Sequence, residues 1–497
     1  MKNLAGIKVA GLVAALALVG ACDGGASGGG GGATGSSGNG TGGGSAASGG
    51  NGGGTGYAVG TNIPLPLAPA EITWMHNGME EPQRSYWEQV AADFEALHPG
   101  VNVTITEVPN ADLRANAVFN AVDSGTAPDL FQSWGGGQLT EWVNEGVTRD
   151  LTEVLAPTIS GLSSWAVPNW QLNSRMYGLP YAAGPAGFWV NLNVLNEAGL
   201  VDGATTDAAG NVTGGTVDWP TDLAGLFAMW STIKEHGITP VAVGGGTGWA
   251  GPFWYYALVA DICPAEAINT ASELRDFSDG CWEQAGTKLK EVVGQGAFQS
   301  DWSTANDQAG AESSAGLVAT GQAAMEFQGP WAGTVMSSIY QNQAGSTGAP
   351  GFLAWYPFPA AEPGQGAAIL AGGDGFSVLD SSLSNTARSD AAAALLGFIL
   401  SEQVQTEGLN FNLGGNNVVA LPGIPTNQAA AAQVVDPVQV KQAAALSAAT
   451  HTVPWLDVYL GSTIGSAMNN AVNSLMRGQI GAATVVDSIR TSAGAVH

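Results

Sequence analysis

Apolar and polar positions after residue 69 predict strands and helices in alternation. Segments 71–75, 101–105 and 130–131 are short runs of apolar residues or alternate with polar ones, as strands do. Apolar residues recur at helical spacing within 87–97, and Asn110 can cap a second helix before the third strand. This strand–helix–strand–helix–strand order predicts a parallel α/β sheet.

Ligands of such sheets bind in the loops beyond the carboxyl ends of the strands. Two loops therefore share one edge of the predicted sheet, at residues 76–80 and 134–138. Six candidate ligand-binding residues lie there: His76, Asn77, Glu80, Trp134, Gly135 and Gln138.

The rest of the chain is organised around the stretch A-P-D-L-F-Q-S-W-G-G-G at residues 127–137. A rigid Ala127-Pro128 turn enters the third strand, and Trp134 follows on a loop of three glycines. Glycine lacks a Cβ, so we expect this loop to let a ligand approach the backbone closely.

Several stretches, in order, resemble the family 1 extracellular solute-binding proteins of ABC importers, the maltose-binding-protein-like class. They are P-D-L-F (128–131), Y-G-L-P (177–180), A-A-M (323–325), G-P-W (329–331) and G-G-D-G-F-S-V (372–378). The resemblance implies an α/β, two-lobed periplasmic-binding-protein fold of type II, with the ligand cleft between the lobes. It assigns residues 68–180 plus 370–425 to the N-terminal lobe and residues 181–369 plus 426–497 to the C-terminal lobe.

The N-terminal residues predict export. Residues 1–22 contain two lysines, a short apolar run and the sequence V-G-A-C, which resembles the lipobox of bacterial lipoproteins. The resemblance implies a signal peptide over 1–22 and lipid attachment at Cys22; the alternative is an ordinary secretory signal. Residues 23–67 are rich in Gly and Ser and predict a flexible tether.

Charge and composition exclude several partners and cofactors. The formal net charge of −27 would repel nucleic acid and anionic lipid, so we expect membrane contact through the lipid anchor only. The five histidines are scattered, and we expect no metal and no cofactor. In an oxidising compartment Cys263 and Cys281 would form a disulfide; the alternative is two free buried thiols.

The candidate ligand chemistry is aromatic. Among 16 tryptophans, four lie in or beside loops rich in Gly or Pro: Trp134, Trp249, Trp254 and Trp331. An indole can cover the apolar C–H face of a pyranose, while the sugar hydroxyls need polar partners. For each of these tryptophans the alternative is packing in the core.

Three further candidates lie towards the C-terminus. Gly373 and Asp374 are placed by the resemblance on the strand that returns to the first lobe. Asp457 is either a ligand residue or a charge at a helix N-terminus.

The sequence therefore predicts a sugar or oligosaccharide receptor with no catalytic residue. We expect an exported monomer, lipid-anchored on the outer face of the cytoplasmic membrane or in the periplasm. By resemblance, its partners are the permease subunits of an ABC importer. Two alternatives remain open: a polysaccharide-binding adhesin, and a secreted glycoside hydrolase with two carboxylates roughly 5–9.5 Å apart.

Overall fold

The computed structural model describes residues 56–114, 117–344, 350–364 and 368–495. The predicted signal peptide, Cys22 and residues 23–55 of the predicted tether lie outside these ranges.

The described strands belong to two larger sheets and three two-stranded hairpins. In chain order they are β1 (Ala70–His76), β2 (Val101–Glu107), β3 (Leu130–Ser133), β4 (Gln171–Leu172), β5 (Arg175–Met176), β6 (Leu179–Pro185), β7 (Gly187–Asn191), β8 (Asp202–Thr206), β9 (Val212–Thr216), β10 (Thr239–Ala242), β11 (Ala323–Gln328), β12 (Leu353–Pro357), β13 (Ile369–Val378), β14 (Phe411–Leu413), β15 (Asn416–Val418), β16 (Ile424–Pro425) and β17 (Thr452–Val453).

Helices connect and cover these strands. In chain order the described α-helices are α1 (Gln83–Leu97), α2 (Asn110–Arg114), α3 (Ala117–Asp123), α4 (Gly136–Asn144), α5 (Ala156–Gly161), α6 (Leu192–Glu197), α7 (Leu223–Glu235), α8 (Phe253–Ile262), α9 (Ala265–Leu274), α10 (Cys281–Gly294), α11 (Ser314–Ala319), α12 (Ala332–Ala344), α13 (Thr386–Ile399), α14 (Glu402–Leu409), α15 (Gln428–Ala431), α16 (Pro437–Ala448), α17 (Leu456–Tyr459), α18 (Ser462–Met476) and α19 (Ala482–Gly494). Within the described ranges, no helix has the length and apolar character needed to cross a membrane.

The larger sheet has the strand order β16-β6-β13-β3-β1-β2, and β17 pairs with β13. Strands β1, β2 and β3 are parallel neighbours, as the periodicity predicts. Strand β13 is inserted antiparallel between β3 and β6, although it comes more than two hundred residues later in the chain than β3. Its insertion places residues 374 and 375 beside the end of β3, where Trp134 begins the next loop.

The smaller sheet has the order β10-β11-β7-β12, with β7 antiparallel to both neighbours. Strand β6 ends in the larger sheet at Pro185, and β7 begins in the smaller one at Gly187. The chain therefore crosses between the sheets at Ala186, whose N–H donates to the Leu370 carbonyl. The lobe boundary expected at residues 180/181 falls inside β6 instead, because the whole of β6 is buried beside β13.

Packing starts before the expected end of the tether at residue 67. Ala58, Ile63 and Leu67 are buried, and the Asn62 N–H donates to the Val154 carbonyl at 2.8 Å. We call the parts of the chain built on the larger and the smaller sheet the larger and the smaller lobe. These few apolar side chains attach the segment to the larger lobe, which a composition rich in glycine does not indicate.

The expected disulfide between Cys263 and Cys281 is present. It joins the residue after α8 to the first residue of α10, and both cysteines are buried. The link therefore fixes the ends of two helices that pack together in the smaller lobe.

We expect the double substitution Cys263→Ala and Cys281→Ala to lower the free energy of unfolding by about 3 kcal/mol, because the crosslink spans 18 residues. Denaturant titration followed by tryptophan fluorescence would measure the loss. With a reducing agent present, the original chain and the variant should become equally stable. A difference that persists there would show that packing, not the crosslink, is responsible.

Candidate functional site

A cavity of about 60 Å³ lies between residues of the two sheets. The larger sheet and its loops contribute Asn77, Glu80, Trp134, Tyr181 and Asp374 to its lining. The smaller sheet and the segments beside it contribute Gln308, Trp331, Thr334 and Val335. The cavity thus has one indole from each lobe, and we call it the cleft.

Trp134 is held in place by a buried carboxylate. Its Nε1 donates to Oδ1 of Asp374 at 2.7 Å, and Gln132 Nε2 donates to the same oxygen at 3.2 Å. Burial raises the pKa of Asp374 to about 6, although both hydrogen bonds and the nearby Arg114 charge act in the opposite direction. Oδ2 of Asp374 accepts no hydrogen bond from the residues that the structure describes, so it remains an acceptor for a ligand in the cleft.

The three glycines after Trp134 serve a different purpose from the expected one. A Cβ on Gly135 would lie 2.5 Å from the Asn169 carbonyl oxygen, and one on Gly137 would lie 2.4 Å from the Gly461 nitrogen. These glycines make room for other segments of the chain rather than for a ligand. Gly136 and Gly137 allow residues 455–462 to pack directly against the loop that follows β3, whereas Gly135 makes room for Asn169.

Glu141 strengthens that contact. This α4 side chain accepts hydrogen bonds from the N–H and the hydroxyl of Ser462, the first residue of α18. A carboxylate at a helix N-terminus is stabilising, because it satisfies free N–H groups and complements the helix dipole. The 455–462 segment is therefore fixed to α4 at the end where it continues into α18.

Arg114 is a cleft residue that the sequence reasoning missed. Its guanidinium lies 4.9 Å from the ring centroid of Trp134 and 5.5 Å from that of Trp249. Its Nη1 forms a salt bridge with Oδ2 of Asp457, and the side chains are only 13% and 5% exposed. The scarcity of basic residues, 14 in the whole chain, is the one sequence feature that could have drawn attention to it.

Tyr181 and Gln83 also line the cleft and were not predicted. Gln83 Nε2 donates to the Tyr181 hydroxyl at 3.3 Å, and burial raises the pKa of Tyr181. Tyr181 directly follows the Y-G-L-P motif, and that position next to a family landmark is the sequence signal that indicates it.

The predicted site residues divide into two groups. Asn77, Glu80, Trp134, Trp331 and Asp374 come together around the cleft. Trp331 lines the cleft and has a free hydrogen-bond donor. Its Nε1 is buried and has no hydrogen-bond partner within the described ranges.

The other candidates lie behind the cleft surface or in the core. His76 is 1% exposed; its Nδ1 accepts from the Gly78 N–H, and burial lowers its pKa to about 3, so it is a neutral residue that supports the turn carrying Asn77. Trp254 is surrounded by the rings of Phe188, Trp230 and several phenylalanines, in the core of the smaller lobe.

Four further candidates, apart from Gly135, do not line the cleft. Gln138 is buried in α4 and its Oε1 has no hydrogen-bond partner among the described residues, and Gly373 pairs with Ala183 within the larger sheet. Trp249 lies behind Arg114, and Asp457 is the ion-pair partner of that arginine. Across the described part of the chain, no three His, Cys, Asp or Glu side chains are grouped so that they could hold a metal ion.

Comparison with known proteins supports one family. The family model described as "Bacterial extracellular solute-binding protein" matches residues 80–406. The multiple sugar-binding protein of Streptococcus mutans serotype c (strain ATCC 700610 / UA159) is 23% identical over 297 residues, which cover 57% of this chain and 61% of that protein. The matched region thus spans less than two thirds of that relative's length.

Two solved structures show the same fold. A chitin oligosaccharide binding protein superposes with a TM-score of 0.69 at 20% identity, covering 86% of this chain and 98% of the other. A maltose-bound protein from T. maritima, MalE3, superposes with a TM-score of 0.64 at 16% identity, covering 86% and 100%. These similarities confirm the predicted two-lobed α/β fold.

We expect the substitution Asp374→Asn to flatten the dependence of stability on pH. The folded-state pKa of Asp374 is about 6, above its ordinary value of 3.8, so its ionisation destabilises the fold as pH rises between these values. The variant should therefore gain about 2.5 kcal/mol relative to the original chain between pH 4 and pH 7.5, measured by denaturant titration. Asp202→Asn, on an exposed hairpin, is the matched control. Parallel profiles for the Asp374 variant and the original chain would contradict the assignment.

Proposed function

The chain belongs to the bacterial extracellular solute-binding protein family, and from this premise we propose that it binds a sugar or oligosaccharide between its two lobes. It delivers this ligand to the permease of an ABC importer, and it neither makes nor breaks a bond. The names of its relatives support a saccharide ligand: one is a multiple sugar-binding protein, one binds chitin oligosaccharide and one was solved with maltose.

The observation that carries this proposal is the meeting of Trp134 and Trp331, from different lobes, in one cleft with Asn77, Glu80 and Asp374. Indole faces cover the apolar face of a sugar ring, and the side-chain amide and carboxylates can bond its hydroxyls. Half of one indole covered by ligand contributes on the order of 2.5 kcal/mol. Two supply about 5 kcal/mol of the roughly 8 kcal/mol that micromolar binding requires, so the polar groups must supply the rest.

Ligand entry requires the cleft to widen. Its volume of about 60 Å³ is far below the roughly 300–1,000 Å³ typical of ligand pockets. A bend at the crossings between the sheets, such as Ala186, would separate the two indoles and admit a sugar. Closure would then be favoured by contacts that the ligand makes with both lobes at once, and the closed form would report occupancy to the permease.

The proposal includes the location of the protein. Export directed by residues 1–22, lipid attachment at Cys22 and a tether would keep a monomeric receptor next to its permease, on the outer face of the cytoplasmic membrane or in the periplasm. Labelling with a radioactive fatty acid, with Cys22→Ala as the control, tests the anchor separately from ligand binding.

A saccharide screen tests the central proposal. We expect a bound sugar to raise the melting temperature, and Trp331→Ala to weaken its binding by roughly 10- to 100-fold in calorimetry, because one stacking face is lost. Trp165→Ala is the matched control, since Trp165 is 48% exposed and does not line the cleft. Failure of all mono- and oligosaccharides to bind would contradict the proposal, and cleavage of the sugar during incubation would favour the hydrolase alternative.

We also expect the cleft to prefer uncharged sugars over sugar acids. Its lining contains the carboxylates of Glu80, Glu81 and Asp374, whereas Arg114 is already paired with Asp457. A uronic acid analogue of the bound sugar should bind at least roughly tenfold more weakly at pH 7.5 in low salt. The difference should shrink near pH 5, because Asp374, with a pKa of about 6, is then largely protonated. Equal or tighter binding of the acid at pH 7.5 would be the contrary result.

A further inference from the structure

On the basis of the proposed saccharide-binding function, we propose that Arg114 limits the length of the saccharide by closing the cleft in front of Trp249. Nothing in the A-P-D-L-F or G-P-W motifs identifies this residue, and its role follows from its position over two indole rings.

Arg114 stands between the cleft and an aromatic surface behind it. Arg114, Trp134 and Trp331 line the cleft, but Trp249 does not, although its ring centroid is only 5.8 Å from that of Trp331. The guanidinium occupies the space in front of Trp249, 5.5 Å from its ring centroid and 4.9 Å from that of Trp134. Trp249 itself is 4% exposed.

Behind the arginine the indoles continue. Trp331 makes an edge contact with Trp455 at 5.6 Å between centroids, in addition to its contact with Trp249. Trp455 is already stacked on Phe253, whereas Trp249, tilted 57° from Trp331, carries a face that, among the described residues, only the guanidinium is seen to cover and that could receive a further sugar ring. With Arg114 in place, the described lining of the cleft exposes Trp134 and Trp331 only, which suits a short ligand.

The arginine is held too firmly to act as a gate for a neutral sugar. Its partner Asp457 is almost fully buried, so moving Arg114 away would leave a buried carboxylate without a cation, which the Asn469 amide at 3.5 Å does not replace. Both indole faces add cation–π attraction to the guanidinium. An uncharged ligand has nothing with which to replace the cation beside Asp457. Arg114 is therefore a fixed wall of the cleft.

Two double variants separate the volume of the side chain from its charge. Arg114→Ala with Asp457→Asn removes the wall without leaving a buried unpaired carboxylate. Arg114→Met with Asp457→Asn keeps a side chain of similar length and removes the same charges. Melting curves of both variants establish that each is folded before binding is measured.

Calorimetry with malto- and chito-oligosaccharides, from disaccharide to pentasaccharide, tests the length limit. We expect the alanine variant to shift its preference towards the longer chains by roughly tenfold or more, since another indole face becomes available. The methionine variant should keep the original preference. The same length preference in the original chain and in both folded variants would overturn the inference.

Oxidative footprinting read by mass spectrometry tests the geometry without any ligand. Oxidation of Trp249 should rise several-fold in the alanine variant but not in the methionine variant. Trp254, which is 1% exposed in the core, is the internal reference. Unchanged Trp249 oxidation in the folded alanine variant would overturn the inference even if sugars bind. If Trp249 becomes reactive but no saccharide binds any variant, the proposed function and the length limit both fail, and only the covering of Trp249 by Arg114 is supported.

Discussion

The wall of the cleft on the larger lobe depends on one hydrogen bond, from Trp134 Nε1 to Asp374 Oδ1, which joins residues 240 positions apart. It exists because β13 returns antiparallel beside β3 and brings a carboxylate to the end of a fully buried strand. The carboxylate has little water around it, so its two donors, Trp134 and Gln132, determine where it lies. In turn, it sets the orientation of the indole.

A second constraint comes from the segment at 455–462. Gly136 and Gly137 let this segment lie against the β3 loop. Glu141 binds its far end, and Asp457 directs Arg114 across two indoles. Each of these contacts joins parts of the chain distant in sequence. The aromatic surface of the smaller lobe is thereby brought against the larger lobe, with the guanidinium between them.

Local sequence patterns predicted much of the fold, since periodicity and turn residues report burial along one segment. Strands β1 to β3, the helices between them and the Cys263–Cys281 pair agree with expectation. The same patterns cannot tell what fills the space beside a residue. Glycines 135–137 did signal a close approach, but it is an approach of other segments of the same chain. Trp254 lies beside a loop rich in Gly and Pro and still packs in the core. Arg114 matters only because residues 134, 249 and 457 fold around it.

The crossing at Ala186 has a mechanical consequence. One residue separates a strand of the larger sheet from a strand of the smaller one, so this passage has few torsions with which to absorb a rotation between the sheets. Strand β17, which ends three residues before α17 begins, pairs with β13 close to the crossing at Ala186. Movement about an axis there would be small next to the crossing and amplified with distance from it, as along a lever arm. The mouth of the cleft would therefore open further than the part of the cleft next to the crossing.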